Sequence, residues 1–223
     1  MNYKTTLSGQ TFVFDSVKEI LAKAGEHKSG DELAGVAAGS DRERIAAKMV
    51  LADMTLGELY ENPVAPYEED EVTRINIDGL NQKIYQEIKG WTVGELREWL
   101  LAYENDEGKI IRLSHGLTAE MIAAVCKLMS NLDLIYGAQK IRVTARCNTT
   151  VGQRGTMGTR LQPNHTTDQI DGITASLFEG LSYGCGDVLI GLNPVNDTIS
   201  SLSEVLKRFD EVKQKFEIPT QIC

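Results

Sequence analysis

The sequence predicts an α/β protein in two parts: a helical region over residues 1–140, then alternating strands and helices over residues 141–223. Three observations predict it. Capping-box sequences recur through the first part ahead of amphipathic segments. After Lys140 the composition turns to β-branched runs separated by glycines. There, the wholly apolar run "DVLIGLN" lies between two helical patterns, as a strand covered on both faces would.

The first part is expected to be mainly helical. Asp15 or Ser16 can cap a helix with Val17, Ile20, Leu21 and Ala24 on one face, ending near Glu26. "SDRERIAAKMVLADM" sets Ser40 and Glu43 in capping-box spacing, with Ile45, Met49 and Ala52 on the expected apolar side. "TLGEL" and "TVGEL" repeat that box at Thr55/Glu58 and Thr92/Glu95. Between them "ENPVAPYEEDEVTR" carries two prolines and five acids and reads as an exposed connection. "TAEMIAAVCKLMSNLDLIYGAQK" reads as one helix ended by Gly137.

In the second part "IRVTAR" is a short strand, and "NTTVGQRGTMGTRLQPN" alternates turn glycines with β-favouring residues. "TTDQIDGITASLFEGLSYGCG" is a helix capped by Thr167 or Asp168, lined by Ile170, Ile173, Leu177 and Leu181, and stopped by Gly184. The strand "DVLIGLN" follows. The next helix has Ile199, Leu202, Val205, Leu206 and Phe209 on its buried side, with Asp197 placed to cap it. "PTQIC" begins another strand. Strand, helix, strand, helix, strand implies a parallel sheet with right-handed crossovers. Such a sheet needs neighbours on its edges, so this chain is expected to be the front portion of a longer protein.

Composition narrows the function. A formal net charge of −9 disfavours binding to nucleic-acid phosphates. No apolar run is long enough to span a bilayer, and the first residues lack the apolar stretch of a secretion signal. A cytoplasmic protein is expected. Cys126, Cys147, Cys185 and Cys223 form no CxxC pair and are expected to be reduced, small apolar groups. His27, His115 and His165 lack the spacing of a zinc site. The NxT sequences at Asn148, Asn164 and Asn196 carry no glycosylation meaning without secretion.

Two features could bear chemistry. Gly152, Gly155 and Gly158 could cradle a phosphate, and Gly184 and Gly186 spell GxG. Neither has the GK[ST] or strand–GxG–helix context that such sites require, so both sets read as turn glycines. In "GTRLQPNHTTDQI", Arg160 and Gln162 occupy positions i and i+2 of a strand, on one face and roughly 7 Å apart. The next strand ends at Asn193, followed by Pro194. Ligands in parallel α/β proteins sit at the carboxyl ends of strands, so these residues mark a candidate site. The alternative is a structural ion pair at Arg160 and a plain turn at Asn193–Pro194.

The chain also resembles a known family. "TTLSGQTFVFDSVKEILAKA", "SGDELAGVAA", "VTRINID", "ELREWLL", "NLDLIYGAQK", "NTTVGQRGT", "TRLQPNHT", "EGLSYGCGDVLIGLNPVND" and "KFEIPTQIC" occur in order, as in the large subunit of ethanolamine ammonia-lyases. The resemblance implies a helical region ahead of a (β/α)8 TIM-type barrel, incomplete in this chain, with "GTRLQPN" and "DVLIGLN" as its first two strands. It implies an adenosylcobalamin-dependent radical conversion of ethanolamine to acetaldehyde and ammonia. Partners would be a small subunit and further large subunits, within a bacterial microcompartment. It places Arg160, Leu161, Gln162 and Asn193 among substrate contacts, with Arg160 catalytic, and Pro194 on the corrin side. Leu161, between the two polar residues, would point the other way and pack, reaching ligand only through its backbone. Carboxylates for the substrate ammonium would come from later strands, and Ile222 stands where the family carries glycine. A truncated chain serving only as an assembly module is the alternative.

Overall fold

The computed structural model describes residues 3–223, which divide into two compact units, one up to Ile141 and the other Arg142–Cys223. The first unit opens with a hairpin rather than a helix. Strands β1 (Tyr3–Leu7) and β2 (Gln10–Phe14) pair antiparallel with Leu7 opposite Gln10. The two-residue turn puts both Ser8 and Gly9 at positive φ, 50° and 81°, the twist that tight hairpins favour.

Short helices follow. They are α1 (Val17–Lys23), α2 (Ser29–Leu33), α3 (Asp41–Asp53), α4 (Leu56–Glu61) and α5 (Glu71–Asp78). Next come α6 (Gln82–Ile88), α7 (Val93–Leu101), α8 (Glu107–Ser114), α9 (Ala119–Leu128) and α10 (Asn131–Lys140). Ser16 caps α1, as one of the two expected candidates, and Val17, Ile20, Leu21 and Ala24 are buried. Part of the acidic connection is helical: Asp70 accepts from the Thr73 amide and starts α5. The single helix expected after Thr118 is two. Met129 is extended, Ser130 opens a new capping box with Asp133, and Gly137 lies inside α10 instead of ending it.

The two "T-x-G-E-L" segments form a local pair. Thr55 and Thr92 face each other in an isolated antiparallel bridge, and each heads a complete capping box. Leu56 N–H donates to Trp91 C=O and Val93 N–H to Met54 C=O, both at 2.8 Å. These equivalent bonds hold the starts of α4 and α7 together, and Leu56, Leu59, Val93 and Leu96 fill the core beneath them. Helix α3 turns a different side inward than its periodicity suggests. Ala46, Ala47 and Leu51 are fully buried, while Ile45 and Met49 are exposed. Small residues let α3 approach α1, α7, α9 and β1 closely, which decides the orientation over side-chain apolarity.

The second unit begins with a two-residue antiparallel pair, β3 (Ala145–Arg146) with β4 (Thr150–Val151), so the expected "IRVTAR" strand does not join the parallel sheet. Then come β5 (Arg160–Leu161), α11 (Ile170–Ser182), β6 (Leu189–Ile190), α12 (Ile199–Lys215) and β7 (Gln221–Ile222). The three strands form a parallel sheet in the order β5-β6-β7. Backbone bonds extend it past the strand ends, from Gly191 N–H to Leu161 C=O at 2.8 Å and from Leu192 N–H to Cys223 C=O at 2.7 Å.

Ile173 and Leu177 of α11 and Val205, Phe209 and Val212 of α12 pack with Ile190 into a second core, joined by Leu161, Leu192 and Ile222. Ile199 and Leu206, expected inside, are exposed, because the buried stripe of α12 runs through Val205, Phe209 and Val212. Thr198, not Asp197, caps α12, accepting from Ser201 N–H. Neither Thr167 nor Asp168 caps α11. Gln169 holds that position without a side-chain bond, since the Thr167 hydroxyl pairs with His165 Nδ1 and Asp168 is engaged elsewhere. Gly152, Gly155, Gly184 and Gly186 all have positive φ, as turn glycines do.

Candidate functional site

Strand register sorts the candidate residues onto faces. Arg160 is opposite Leu189, itself opposite Gln221, while Leu161, Ile190 and Ile222 align one step on. Successive side chains alternate across a sheet. The row Leu161, Ile190, Ile222, with Leu192 beyond it, turns to the helices and packs into the second core. Arg160, Gln162, Leu189, Gly191, Asn193, Gln221 and Cys223 therefore alternate to the opposite face, away from the helices. That face is mostly polar around a half-buried Leu189, and Arg160, Gln162, Asn193, Gln221 and Cys223 are all exposed.

The structure thus brings Arg160, Gln162 and Asn193 together on one face at the carboxyl ends of adjacent strands. It sets Leu161 apart. The Leu161 side chain lies against Gly180 and Gly186 on the helix side, and its carbonyl accepts from Gly191 N–H. The Leu161 side chain thus packs into the core between two site residues, as expected of it, and only its backbone lies along the site. Gln221 is a member of the row that the sequence does not single out. It shares the alternation and register of Arg160, and only the pairing of β7 with β6 reveals that.

The Arg160 guanidinium lies across Gly191. A Cβ built there would stand 2.6 Å from Arg160 Nε and 2.9 Å from Cζ, with Nη2 also in its way. Only glycine leaves the space that this side chain occupies. Arg160 has no ion-pair or hydrogen-bond partner among the described residues, so its five donors are free to meet a ligand. No structural ion pair forms at Arg160 among the described residues.

Two carboxylates tie β5 to β6. At the amino ends, Asp187 accepts from Thr159 N–H at 2.7 Å and from the Thr159 hydroxyl, which in turn accepts from Gly186 N–H. The Thr159 hydroxyl, then its amide, hold the Asp187 carboxyl below the usual carboxylate range. At the carboxyl ends, Asp168 accepts from Val195 N–H at 2.9 and 3.0 Å and from Asn196 N–H at 2.6 Å. Pro194 is half-buried and Val195 beside it is 70% exposed, which gives an apolar ledge beyond the polar row.

No group of three or more His, Cys, Asp or Glu side chains suited to a metal occurs among the described residues. All four cysteines are free. Cys126 and Cys223 are exposed and Cys147 and Cys185 half-buried, so none fills core space as expected. Among the described residues no helix is long and apolar enough to cross a membrane.

The family model for the ethanolamine ammonia lyase large subunit (EutB) matches residues 12–223. The chain is 51% identical over 223 residues to the ethanolamine ammonia-lyase large subunit of Escherichia coli strain K12, covering 100% of this chain and 49% of that relative. The large subunit of Salmonella typhimurium strain LT2 matches with the same identity and coverage. The chain spans about half the length of the curated relatives it matches.

Proposed function

Since the chain belongs to the ethanolamine ammonia-lyase large-subunit family, we propose that it forms the front of a lyase subunit that converts ethanolamine to acetaldehyde and ammonia. The parallel β5-β6-β7 order supports reading these strands as the first three of a (β/α)8 barrel, with the polar row facing its interior. One observation carries the site: Arg160, unpaired, lies over Gly191 on the face that Gln162 and Asn193 share.

The residue types suit the chemistry. Arg160 and Asn193 are donors for the substrate hydroxyl oxygen, whose charge changes as the amino group migrates from one carbon to the next. Preorganised donors at such an oxygen stabilise the charge that develops. Gln162 accepts from the substrate ammonium through its amide oxygen. The family's implied cofactor, adenosylcobalamin, would meet Pro194 and Val195 along one edge, where this open apolar ledge suits the methyl groups that a corrin carries among its amide side chains. When bound, it supplies the carbon radical that starts the reaction. The roles of Pro194 and Val195 are to seat that edge and to keep water from the polar row.

The small subunit, further large subunits and a microcompartment complete this reading. The test is acetaldehyde release by the full-length subunit with its small subunit and adenosylcobalamin. Arg160→Ala should lower turnover by about 10²–10³, the cost of losing one such donor. Turnover within about twofold of the parent would mean that Arg160 does not touch substrate.

A further inference from the structure

We propose that Asp168 is a positioning residue, which clasps the loop bearing Asn193 and Pro194 to the connection that follows Arg160 and Gln162. This rests on the site reading above and adds a residue that touches no substrate in it.

Asp168 belongs to the connection between β5 and α11. Its backbone is in the left-handed region, φ 52°, a strained choice for a residue with a side chain but one that aspartate tolerates. Its carboxylate does not cap its own helix. It reaches the β6–α12 connection and takes the amides of Val195 and Asn196. Both carboxylate oxygens serve Val195, and one also serves Asn196, a charge-assisted grip on consecutive backbone donors. Asn196 passes the order on, its Oδ1 accepting from Thr198 N–H at the start of α12.

The consequence concerns the two residues between. Leu192 is fixed by the hydrogen bond its N–H donates to Cys223 C=O in the sheet, and Val195 by Asp168. Asn193 and Pro194 bridge those anchors. Without the second anchor the loop would be held only from its strand side. The Asn193 amide would then lose its fixed place relative to Arg160. A site on loops needs such support, because small displacements of a contact group are costly to rate.

The experiment has two arms. In the 223-residue chain, amide exchange is followed by NMR for the parent, Asp168→Asn and Asp168→Gly. Asparagine and glycine both accept the left-handed backbone, so neither variant adds strain at that residue. Exchange at Val195 and Asn196 should quicken about tenfold or more, with Gly191, Leu192 and the amides of α11 and α12 unchanged. Unchanged exchange at Val195 and Asn196 overturns the clasp. A rise spread over α11 and α12 makes Asp168 a general structural residue and overturns the positioning role.

In the full-length subunit, assayed with its small subunit and adenosylcobalamin, Asp168→Asn should lower kcat/KM about tenfold, between the parent and Arg160→Ala. If Arg160→Ala is damaging but Asp168→Asn leaves kcat and KM within about twofold, positioning is refuted. If Arg160→Ala is itself inert, the site reading has failed, and the exchange arm alone decides for or against the clasp.

Discussion

Gly191→Ala perturbs the proposed site by one methyl group and leaves the rest of the chain alone. The added Cβ would sit 2.6 Å from Arg160 Nε and 2.9 Å from Cζ. Carbon and nitrogen atoms settle at about 3.5 Å or more. The guanidinium must therefore retreat by about 1 Å, or swing away entirely. The obstacle is the far end of a flexible side chain, so the fold has little reason to resist. The φ of Gly191 lies outside the left-handed region, and alanine adopts it without strain. Replacing glycine by alanine at a compatible position even stabilises by about 0.4–1 kcal/mol through the unfolded chain. Stability should thus change by less than about 1 kcal/mol in either direction, read by urea unfolding of the 223-residue chain.

Activity should behave differently. A contact group misplaced by about 1 Å can lose on the order of 10²-fold in rate. Acetaldehyde release by full-length Gly191→Ala should fall by that order while the protein stays folded. Turnover within about twofold of the parent, in a variant of unchanged stability, would show that the place of the guanidinium is not used. A loss of more than about 2 kcal/mol in stability would show instead that Arg160 cannot yield, contrary to the reasoning from its free tip.

Two further outcomes test the fold. Thr92→Ala removes the hydroxyl that accepts from Glu95 N–H at 3.0 Å and should cost about 1 kcal/mol in urea unfolding; no measurable change would mean that Glu95 and water cap α7 without it. Asp187 has a folded pKa below its unfolded value of about 3.9, so its contribution is present above that value and is lost as pH falls through the folded one. Asp187→Asn should therefore lower stability at neutral pH and flatten the decline below about pH 4, and an unchanged acid limb in pH-dependent unfolding would count against the Thr159 clasp.

Local chemistry makes many elements readable from the amino-acid order alone. Ser16, Ser40, Thr55 and Thr92 stand at helix starts because a hydroxyl accepting an amide three residues on is a short-range event. The strand β6 is legible from "DVLIGLN" because its apolar centre lies between two helical patterns, although only the helix side of the sheet is packed into a core. The hairpin of β1 and β2 escapes a reading by helical periodicity, although Ser8-Gly9 between two alternating stretches carries its turn chemistry. Long-range packing hides the rest. Ala46 and Ala47, not Ile45 and Met49, face inward because close approach to neighbouring elements favours small side chains. Asp168 looks like a helix cap in one dimension, and only the proximity of Val195 and Asn196 shows its carboxylate spent elsewhere. The spacing of Arg160 and Gln162 announces a shared face, but that Gly191 makes room for the guanidinium depends on strand register, which no local pattern encodes.

The proposed substrate raises a charge problem that the structure sharpens. Ethanolamine is a cation at neutral pH, and at about 5 Å and an effective dielectric of about 20 its repulsion from Arg160 is roughly 3 kcal/mol. Carboxylates near the ammonium must offset that. Those at hand are committed or misplaced. Asp168 spends both oxygens on the Val195 and Asn196 amides, and Asp187 works at the amino ends of the strands, held by Thr159. Asp197 is exposed in the connection and does not cap α12. The polar row gathered here is thus rich in donors, with Gln162 and Gln221 as its amide acceptors and no acid of its own. On the proposed reading its donors grip the oxygen end of the substrate and Gln162 accepts from the ammonium, whose charge still requires acids from a surface that completes the site. Substrate affinity should then depend on that completion far more than on Arg160, whose loss should appear mainly in kcat.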